Sequence, residues 1–266
     1  MSSLVVTLVK EYMTPSVISV SPEAPLDLVL ERLRQNDISC VLVASSEGGA
    51  LGVVSMTDLL RASQLKGGRG GVPIEVLPPT LHARDVMRAP VHTVRADAPV
   101  SEAASILHAN RVHRLFVTFH DAVVGVFSTR DAMRVVRYLH ITKPLRDVMT
   151  TPVLTIGIGD SIDAALERLD DRNLHGVVVV DGKRPVGVFT QHEAIRARSL
   201  PAELRARDPV EEVISYEAIT LDASTPLHRA AAQAAATRAR RIFVTDDHAL
   251  VGLVSGYDLA RVLIDA

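Results

Sequence analysis

The chain has 266 residues, of which 47% are hydrophobic and 23% charged, with 29 basic against 31 acidic side chains. This near-neutral balance argues against a dedicated nucleic-acid-binding protein, which usually has a basic domain, and the apolar fraction is enough for a sizeable core. At roughly 100–200 residues per domain, the length predicts one large or two ordinary domains.

The N-terminal sequence predicts neither export nor membrane insertion. The first residues lack the positive region and the small-residue cleavage site of a signal peptide. The longest apolar stretches are five or six residues, far short of the ~20 that span a bilayer. A single cysteine, Cys40, excludes intramolecular disulfides and multi-cysteine metal sites. We therefore expect a cytoplasmic protein without a metal site.

Two short patterns recur along the chain. The first, here called the opening segment, comprises Tyr12-Met-Thr-Pro15, Val86-Met-Arg-Ala-Pro90, Val148-Met-Thr-Thr-Pro152 and, without its methionine, Val213-Ile-Ser-Tyr216. The second, here called the acid motif, comprises Gly52-Val-Val-Ser-Met-Thr-Asp58, Gly125-Val-Phe-Ser-Thr-Arg-Asp131, Gly187-Val-Phe-Thr-Gln-His-Glu193 and Gly252-Leu-Val-Ser-Gly-Tyr-Asp258. The motif glycines are 73, 62 and 65 residues apart, so a unit of about 60 residues occurs four times.

Each unit predicts the same order of elements. A short extended piece, as at 17–20, precedes an amphipathic helix with apolar side chains at i, i+3, i+4 and i+7: Leu26, Val29, Leu30 and Leu33. The third unit repeats this spacing with Ile162, Ala165, Leu166 and Leu169. Prolines stand near the starts of three of these helices: Pro25, Pro99 and Pro226. Two β-branched runs follow, as at 177–180 and 186–189, and a final helix carries the acid, which gives the order β-α-β-β-α.

This order predicts an α/β (α+β) fold with paired repeats. A unit of about 60 residues is marginal alone, and pairing two units would bury their exposed sheet faces. The predicted repeats are 8–64, 80–138, 142–199 and 206–265, which would form one module over 1–140 and another over 141–266. The stretch 65–79, rich in glycine and proline, is predicted to be a linker.

The hydroxyl and the acid of the motif lie three residues apart where a strand becomes a helix, and two interpretations are open. They can form a capping box at the helix start. Alternatively, free N–H groups there favour phosphate, and the carboxylate can accept hydrogen bonds from two vicinal ribose hydroxyls. The motif glycine would allow close approach of another backbone or of a ligand. Three aspartates among four acids favour ligand binding, because a general cap would vary more freely.

The repeats resemble the cystathionine β-synthase (CBS) domain family over nearly the whole chain, about residues 8–265. The resemblance rests on the β-α-β-β-α order, the Met-Thr-Pro opening and the Gly-h-h-Ser/Thr-x-x-Asp close, in which h is apolar. It implies that tandem repeats pair into Bateman modules with two clefts each. These clefts typically bind adenosine-containing ligands, namely AMP, ADP, ATP, S-adenosylmethionine or NADH. It also implies that modules pack as flat discs, which in a chain of four repeats can form within one polypeptide or between two, and we expect a homodimer.

The resemblance implies a role for each matching residue of the acid motif. The acid would contact the ribose hydroxyls, and the serine or threonine would contact ribose or phosphate. The matching residues are Ser55 and Asp58, Ser128 and Asp131, Ser255 and Asp258, and Thr190. Glu193 departs from the family aspartate by one methylene, so the third site is the weakest candidate.

A narrower likeness concerns the strand Arg111-Val-His-Arg-Leu-Phe-Val117, which resembles a strand in the γ regulatory subunit of AMP-activated protein kinase. There, such His and Arg side chains meet nucleotide phosphates, which implies phosphate contacts for His113 and Arg114. The fourth repeat offers Arg240 and Arg241 at the matching place, and Arg130 could face the same phosphates or water. The alternative is a solvated strand end with ordinary charges.

These observations predict a non-catalytic sensor of AMP, ADP or ATP that regulates an unidentified protein. A sensor of S-adenosylmethionine and a scaffold with vestigial clefts are the alternatives. Enzymatic activity is not expected, because four repeats use the available length and the sequence shows no catalytic constellation. We expect no catalytic cofactor, no nucleic acid and no membrane among its partners.

Overall fold

A computed structural model describes residues 7–36, 38–67, 73–170 and 176–264, with backbone only for 64–67 and 73–76. The first repeat contains α1 (Val9–Tyr12), β1 (Ser19–Val20), α2 (Leu26–Gln35), β2 (Cys40–Ala44), β3 (Ala50–Ser55) and α3 (Met56–Ala62). The strands β4 (Gln64–Gly67) and β5 (Pro73–Val76) follow it. The second contains α4 (Ala83–Val86), β6 (Thr93–Arg95), α5 (Val100–Asn110), β7 (Arg114–Phe119), β8 (Ala122–Ser128) and α6 (Thr129–Tyr138).

The third and fourth repeats each begin with a 3₁₀ turn, at Leu145–Asp147 and Val210–Val213. The third continues with β9 (Thr155–Gly157), α7 (Ile162–Asp170), β10 (Gly176–Asp181), β11 (Arg184–Thr190) and α8 (Gln191–Ala197). The helix α9 (Ala202–Arg207) precedes the turn of the fourth repeat, which continues with β12 (Ala218–Asp222), α10 (Leu227–Thr237), β13 (Arg241–Asp246), β14 (Ala249–Ser255) and α11 (Gly256–Val262). The predicted α/β class and the order β-α-β-β-α are confirmed.

Each repeat builds one small sheet, and the orders in the described residues are β1-β2-β3, β6-β7-β8, β9-β10-β11 and β12-β13-β14. The first strand runs parallel to the middle strand in all four sheets. That arrangement needs a crossover, which the long helix of each repeat supplies. The last strand runs antiparallel to the middle strand in the first, third and fourth sheets.

The middle strands are buried on both faces, which explains their continuous apolar runs. In β10, Val177 and Val179 pack on the helices of their own repeat, beside Leu169. Val178 points the other way and packs on Phe243 of the fourth repeat. Fully burying a valine contributes roughly 1.5–3 kcal/mol, so each middle strand stabilises both its own repeat and the pairing.

The described residues form two compact units that do not follow the repeat boundaries. The N-terminal unit comprises 13–98 and 115–127, hence most of the first repeat and the sheet strands of the second. The C-terminal unit comprises 7–12, 99–114 and 128–264, hence the third and fourth repeats with α5 and α6 of the second. The predicted modules 1–140 and 141–266 do not divide the second repeat in this way, and their boundaries stay predictions.

Sheets of neighbouring repeats pack face to face within each unit. In the N-terminal unit, Cys40 and Leu42 of the first repeat are buried against Phe116 of the second. In the C-terminal unit, Val178 and Val188 of the third repeat are buried against Phe243 of the fourth. Cys40 is therefore a buried residue of a sheet interface.

Helices of the second and fourth repeats also pack together in the C-terminal unit, where α6 contacts α10 and α11. The approach is closest at the start of α11. A Cβ atom on Gly256 would lie 2.8 Å from the Cβ atom of Thr129. Farther along, the rings of His140 and His228 stack with centroids 3.8 Å apart.

The structure adds detail at two places. Pro25, Pro99 and Pro226 occupy the N-cap position, one residue before the first helical position. The predicted linker 65–79 contains strand residues, because β4 and β5 pair as an antiparallel ladder from Gln64–Val76 to Gly67–Pro73. Residues 68–72 of this linker lie outside the described residues.

Candidate ligand-binding sites

Each opening segment reaches across to the acid-motif strand of its neighbouring repeat. The residue after the methionine or isoleucine forms a bridge of two backbone hydrogen bonds with that strand. The N–H groups of Arg88 and Val53 donate to each other's carbonyls at 2.9 and 3.0 Å. The same bridge joins Thr14 to Val126, Thr150 to Leu253 and Ser215 to Val188. Every motif strand therefore borders on the repeat paired with its own.

This crossing explains the glycine of the acid motif. A Cβ atom on Gly125 would lie 2.8 Å from the carbonyl oxygen of Thr14. At Gly187 a Cβ atom would lie 3.0 Å from the carbonyl oxygen of Ser215. Both positions therefore need glycine because another backbone segment lies against them. The sequence left open whether a backbone or a ligand makes this approach, and the structure shows a backbone.

All four acid motifs form capping boxes, so the first interpretation of the motif is confirmed. The backbone N–H of the hydroxyl residue donates to one carboxylate oxygen of the acid, at 3.0 Å for Asp58, 2.8 Å for Asp131, 3.0 Å for Glu193 and 2.8 Å for Asp258. The side-chain hydroxyl donates to the same oxygen. Capping thus uses one oxygen, here called the inner oxygen, and leaves a second, outer oxygen for other partners.

In the first repeat the outer oxygen meets an arginine of the second. The Nε–H group of Arg88 donates to Oδ1 of Asp58 at 2.6 Å. Asp58 is buried, whereas the Arg88 side chain is 62% exposed. The carboxylate is therefore fixed by Ser55 at its inner oxygen, and its ionic partner reaches it from the surface.

In the second repeat the outer oxygen of Asp131 lies 3.3 Å from Nη1 of Arg134, one turn along α6. The same Nη1 donates to the carbonyl of Tyr12 at 3.1 Å. Burial raises the pKa of the Asp131 carboxyl above its usual value, against the lowering effect of the hydrogen bonds from Ser128 and the charge of Arg134.

In the third repeat the outer oxygen of Glu193 lies 3.2 Å from Nδ1 of His192. Burial alone would raise the pKa of Glu193, but the contacts with His192 and Thr190 outweigh it and hold this pKa below its ordinary value. Arg241 of the fourth repeat lies close enough to interact with Glu193. Burial lowers the pKa of Arg241, and the charge of Glu193 acts in the opposite direction.

In the fourth repeat the outer oxygen of Asp258 accepts a hydrogen bond from the hydroxyl of Thr150 at 3.2 Å. Thr150 belongs to the opening segment of the third repeat. The ring of Tyr257 packs on the ring of His113, with centroids 4.3 Å apart. Burial raises the pKa of Tyr257 to about 12, against the lowering effect of the nearby charge of Arg114.

The structure separates the basic residues predicted to meet phosphate into groups. His113 and Arg114 lie beside the fourth acid motif, through Tyr257. Arg241 lies beside the third, and Arg240 forms an ion pair with Glu217 at 3.3 Å. Arg130 is exposed on α6. Their contact with phosphate stays a prediction.

Sequence reasoning missed the partners of the outer oxygens, which are Arg88, Arg134, His192 and Thr150. Two of them carry a visible signal. They belong to the position that follows the methionine or isoleucine of the opening segment. This position holds arginine in the second repeat, as Arg88, and a hydroxyl residue in the other three, as Thr14, Thr150 and Ser215. That position faces the neighbouring acid motif, so its one arginine marks one site as different.

Two kinds of feature are absent from the residues that the structure describes. In those ranges, no helix has the length and apolar character needed to cross a bilayer. The same ranges contain no group of three or more His, Cys, Asp or Glu side chains that could hold a metal ion.

Comparison with known proteins identifies the class to which these repeats belong. The model of the CBS domain matches residues 9–65, 83–138, 145–200 and 210–265. The chain therefore belongs to the CBS domain family, with four copies of the domain, and this confirms the resemblance found in the sequence.

Archaeal proteins are among the relatives, and the chain spans less than two thirds of the length of the first of them. The uncharacterized protein MJ1404 of Methanocaldococcus jannaschii is 25% identical over 279 residues, covering 97% of this chain and 62% of MJ1404. The crystal structure of MJ1225 from the same organism, described as a proposed archaeal homolog of g-AMPK, covers 96% of this chain and 99% of its own at a TM-score of 0.73 and 15% identity. An uncharacterized conserved protein from Pyrococcus horikoshii has a TM-score of 0.67 at 19% identity, with 97% and 100% covered. These structures show the shared fold.

Proposed function

We propose that this protein is a non-catalytic sensor that binds adenosine-containing ligands, such as AMP, ADP or ATP, at its acid motifs. The observation that carries the proposal is that the two oxygens of each motif carboxylate have different roles. One oxygen of each acid holds the start of a helix, while the outer oxygen meets exchangeable donors such as Arg88 or Thr150. Vicinal hydroxyls of a ribose could replace those donors with the same geometry of acceptance.

The proposed mechanism follows from the crossing of opening segments. A ligand that contacts Asp258 would also border on Thr150, so it would touch the fourth and the third repeat at once. Such a ligand can shift the arrangement of the two repeats only by binding one arrangement better than another. An unidentified partner protein would respond to that shift.

The proposal assigns roles to the predicted residues. Asp58, Asp131 and Asp258 would accept hydrogen bonds from ribose, with Ser55, Ser128, Ser255 and Thr190 contacting ribose or phosphate. His113, Arg114, Arg130, Arg240 and Arg241 are the candidates for phosphate, since guanidinium groups make bidentate contacts with it. A homodimer, a disc-like arrangement and a cytoplasmic location stay predictions of the same proposal.

Calorimetric titration of the purified protein with AMP, ADP, ATP and S-adenosylmethionine tests the proposal. Asp258→Ala should weaken binding at its site by roughly 10- to 100-fold, because hydrogen bonds to a charged group contribute about 1.5–3 kcal/mol. Glu193→Ala should have a smaller effect. Asp121→Asn, in an exposed turn outside the motifs, is the matched control. Absence of binding of any of these compounds at millimolar concentration would overturn the proposal.

A second candidate function is a scaffold with vestigial clefts. It is favoured by the observation that the outer oxygen of each acid already has a protein partner. A scaffold would show the same thermal unfolding with and without nucleotides and would co-purify with a fixed protein partner. A sensor should instead unfold at a higher temperature as the ligand concentration rises.

A further inference from the structure

The first and fourth acid motifs differ in the residue that contacts the outer oxygen, although this residue occupies the equivalent position of its opening segment in both cases. Arg88 and Thr150 both follow the methionine of an opening segment. Both form the two-bond backbone bridge with the motif strand of the neighbouring repeat. Both side chains donate to the outer oxygen of the motif aspartate, at 2.6 Å in the first site and 3.2 Å in the fourth. The two sites therefore differ in the charge of the donor.

We propose that Arg88 makes the first site selective for ligands that carry a phosphate, whereas the fourth site accepts uncharged nucleosides as well. The inference rests on the proposed function, namely that the outer oxygens of Asp58 and Asp258 receive ribose hydroxyls. It adds a residue that determines specificity and that neither the sequence patterns nor the family match assigns.

Asp58 and Arg88 differ in how freely their side chains can move. Asp58 is 7% exposed, and its inner oxygen is held by the backbone and hydroxyl of Ser55. The side chain of Arg88 is 62% exposed and long enough to adopt other rotamers at little cost of desolvation. A ligand that reaches Asp58 would therefore displace the guanidinium and leave the carboxylate in place.

The displaced guanidinium then decides which ligand is accepted. A nucleoside replaces the hydrogen bond of Arg88 with those of its hydroxyls, but it offers the arginine no anion in exchange. A nucleotide offers ribose hydroxyls to the aspartate and an anion to the arginine, because its phosphate can receive the guanidinium through charge-assisted, bidentate hydrogen bonds. In the fourth site the displaced group is the hydroxyl of Thr150, which is neutral and finds water as an adequate partner.

The test compares AMP with adenosine at single sites. Replacing the acids of the other three motifs by alanine leaves either the first or the fourth site intact. Calorimetry on the two proteins gives, for each site, the dissociation constant of adenosine divided by that of AMP. This ratio should be about tenfold larger at the first site, because adenosine lacks the charge-assisted contact between phosphate and Arg88. Arg88→Thr should lower that ratio to the value of the fourth site, and Thr150→Arg should raise the ratio of the fourth.

A second measurement, which needs no multiple variant, keeps the inference testable if such a variant does not fold. In the ¹⁵N–¹H spectrum of the wild-type protein, the Nε–H signal of Arg88, assigned by its loss in Arg88→Thr, should move in Asp58→Asn. Addition of adenosine should change that signal differently from addition of AMP.

The outcomes separate the inference from the function on which it rests. Equal adenosine-to-AMP ratios at the two sites, or an Arg88 signal unmoved in Asp58→Asn, would overturn the selectivity of Arg88 and leave nucleotide binding intact. Failure of both probes to bind at either site would overturn the proposed function and, with it, the selectivity.

Discussion

The third and fourth acid motifs lie in the same compact unit and share one capping pattern, yet their outer oxygens have different partners. Oδ1 of Asp258 accepts from Thr150, a residue of the other repeat, 108 positions away. Oε1 of Glu193 meets His192, its neighbour in the chain. The hydroxyl of Ser215, which is equivalent to Thr150, instead accepts from the N–H of Glu217 at 3.3 Å.

The difference shows two ways in which the outer oxygen of a capping acid is satisfied. The hydrogen bonds of Glu193 stay within its own repeat, although Arg241 of the fourth repeat lies near it, whereas Asp258 is hydrogen-bonded to the third repeat. Because the contacts of Glu193 favour its charged form, its pKa falls below the ordinary value despite burial. The side-chain hydrogen bonds of the third acid therefore serve only its helix cap, whereas those of the fourth acid also join two repeats.

The largest expected effect comes from separating the two repeats at this junction. A Cβ atom on Gly252 would lie 2.9 Å from Cβ of Met149, which cannot move without its backbone. Gly252→Ala should lower the free energy of unfolding by about 1–3 kcal/mol, measured by denaturant unfolding. Gly159→Ala is the control, because nothing lies within 4 Å of its added methyl group. Equal stability of the two variants would contradict the close crossing of the opening segment.

A smaller effect should distinguish the charged cap of the third motif. Because the folded pKa of Glu193 is depressed, its charge stabilises the fold above the unfolded pKa, and this stabilisation is lost as pH falls through the folded pKa. Glu193→Gln should thus be less stable than wild type at pH 7, by about 1 kcal/mol from the weaker neutral hydrogen bonds. The difference should vanish under acid conditions. Unfolding curves from pH 7 to pH 3 check this, and a pH-independent difference would count against it.

The smallest effect should come from the hydroxyl that joins the repeats. Thr150→Val removes the donor to Asp258 while keeping the shape of the side chain, and it should cost about 0.5 kcal/mol. Ser215→Ala removes the equivalent hydroxyl of the fourth repeat. Among the described hydrogen bonds, this hydroxyl accepts from Glu217 and makes none with Glu193. A double-mutant cycle with Asp258→Ala should give coupling for Thr150, and the cycle of Ser215 with Glu193→Ala should give none. Coupling in both cycles would remove the distinction between the two motifs.

The sequence predicts the features that depend on local periodicity and repetition. Helical spacing at Leu26 to Leu33, valine runs such as that ending at Val180, and the hydroxyl-to-acid spacing predict the four repeats and their capping boxes. Contacts between repeats have no such local signature. Arg88 and Asp58 are 30 positions apart, and only the docking of two sheets brings them together. The packing of α6 on α11 likewise depends on Gly256 and Thr129, whose small size is uninformative until the helices are placed.

The crossing of the opening segments also changes how natural variants of this chain should be interpreted. A substitution at Arg88 falls within the second repeat by position, but its first consequence is for the acid of the first repeat. A substitution at Thr150 falls within the third repeat and acts on the acid of the fourth. A substitution in the opening segment of one repeat thus alters the site of the neighbouring repeat. An interpretation that considers each repeat alone would assign such a substitution to the wrong site.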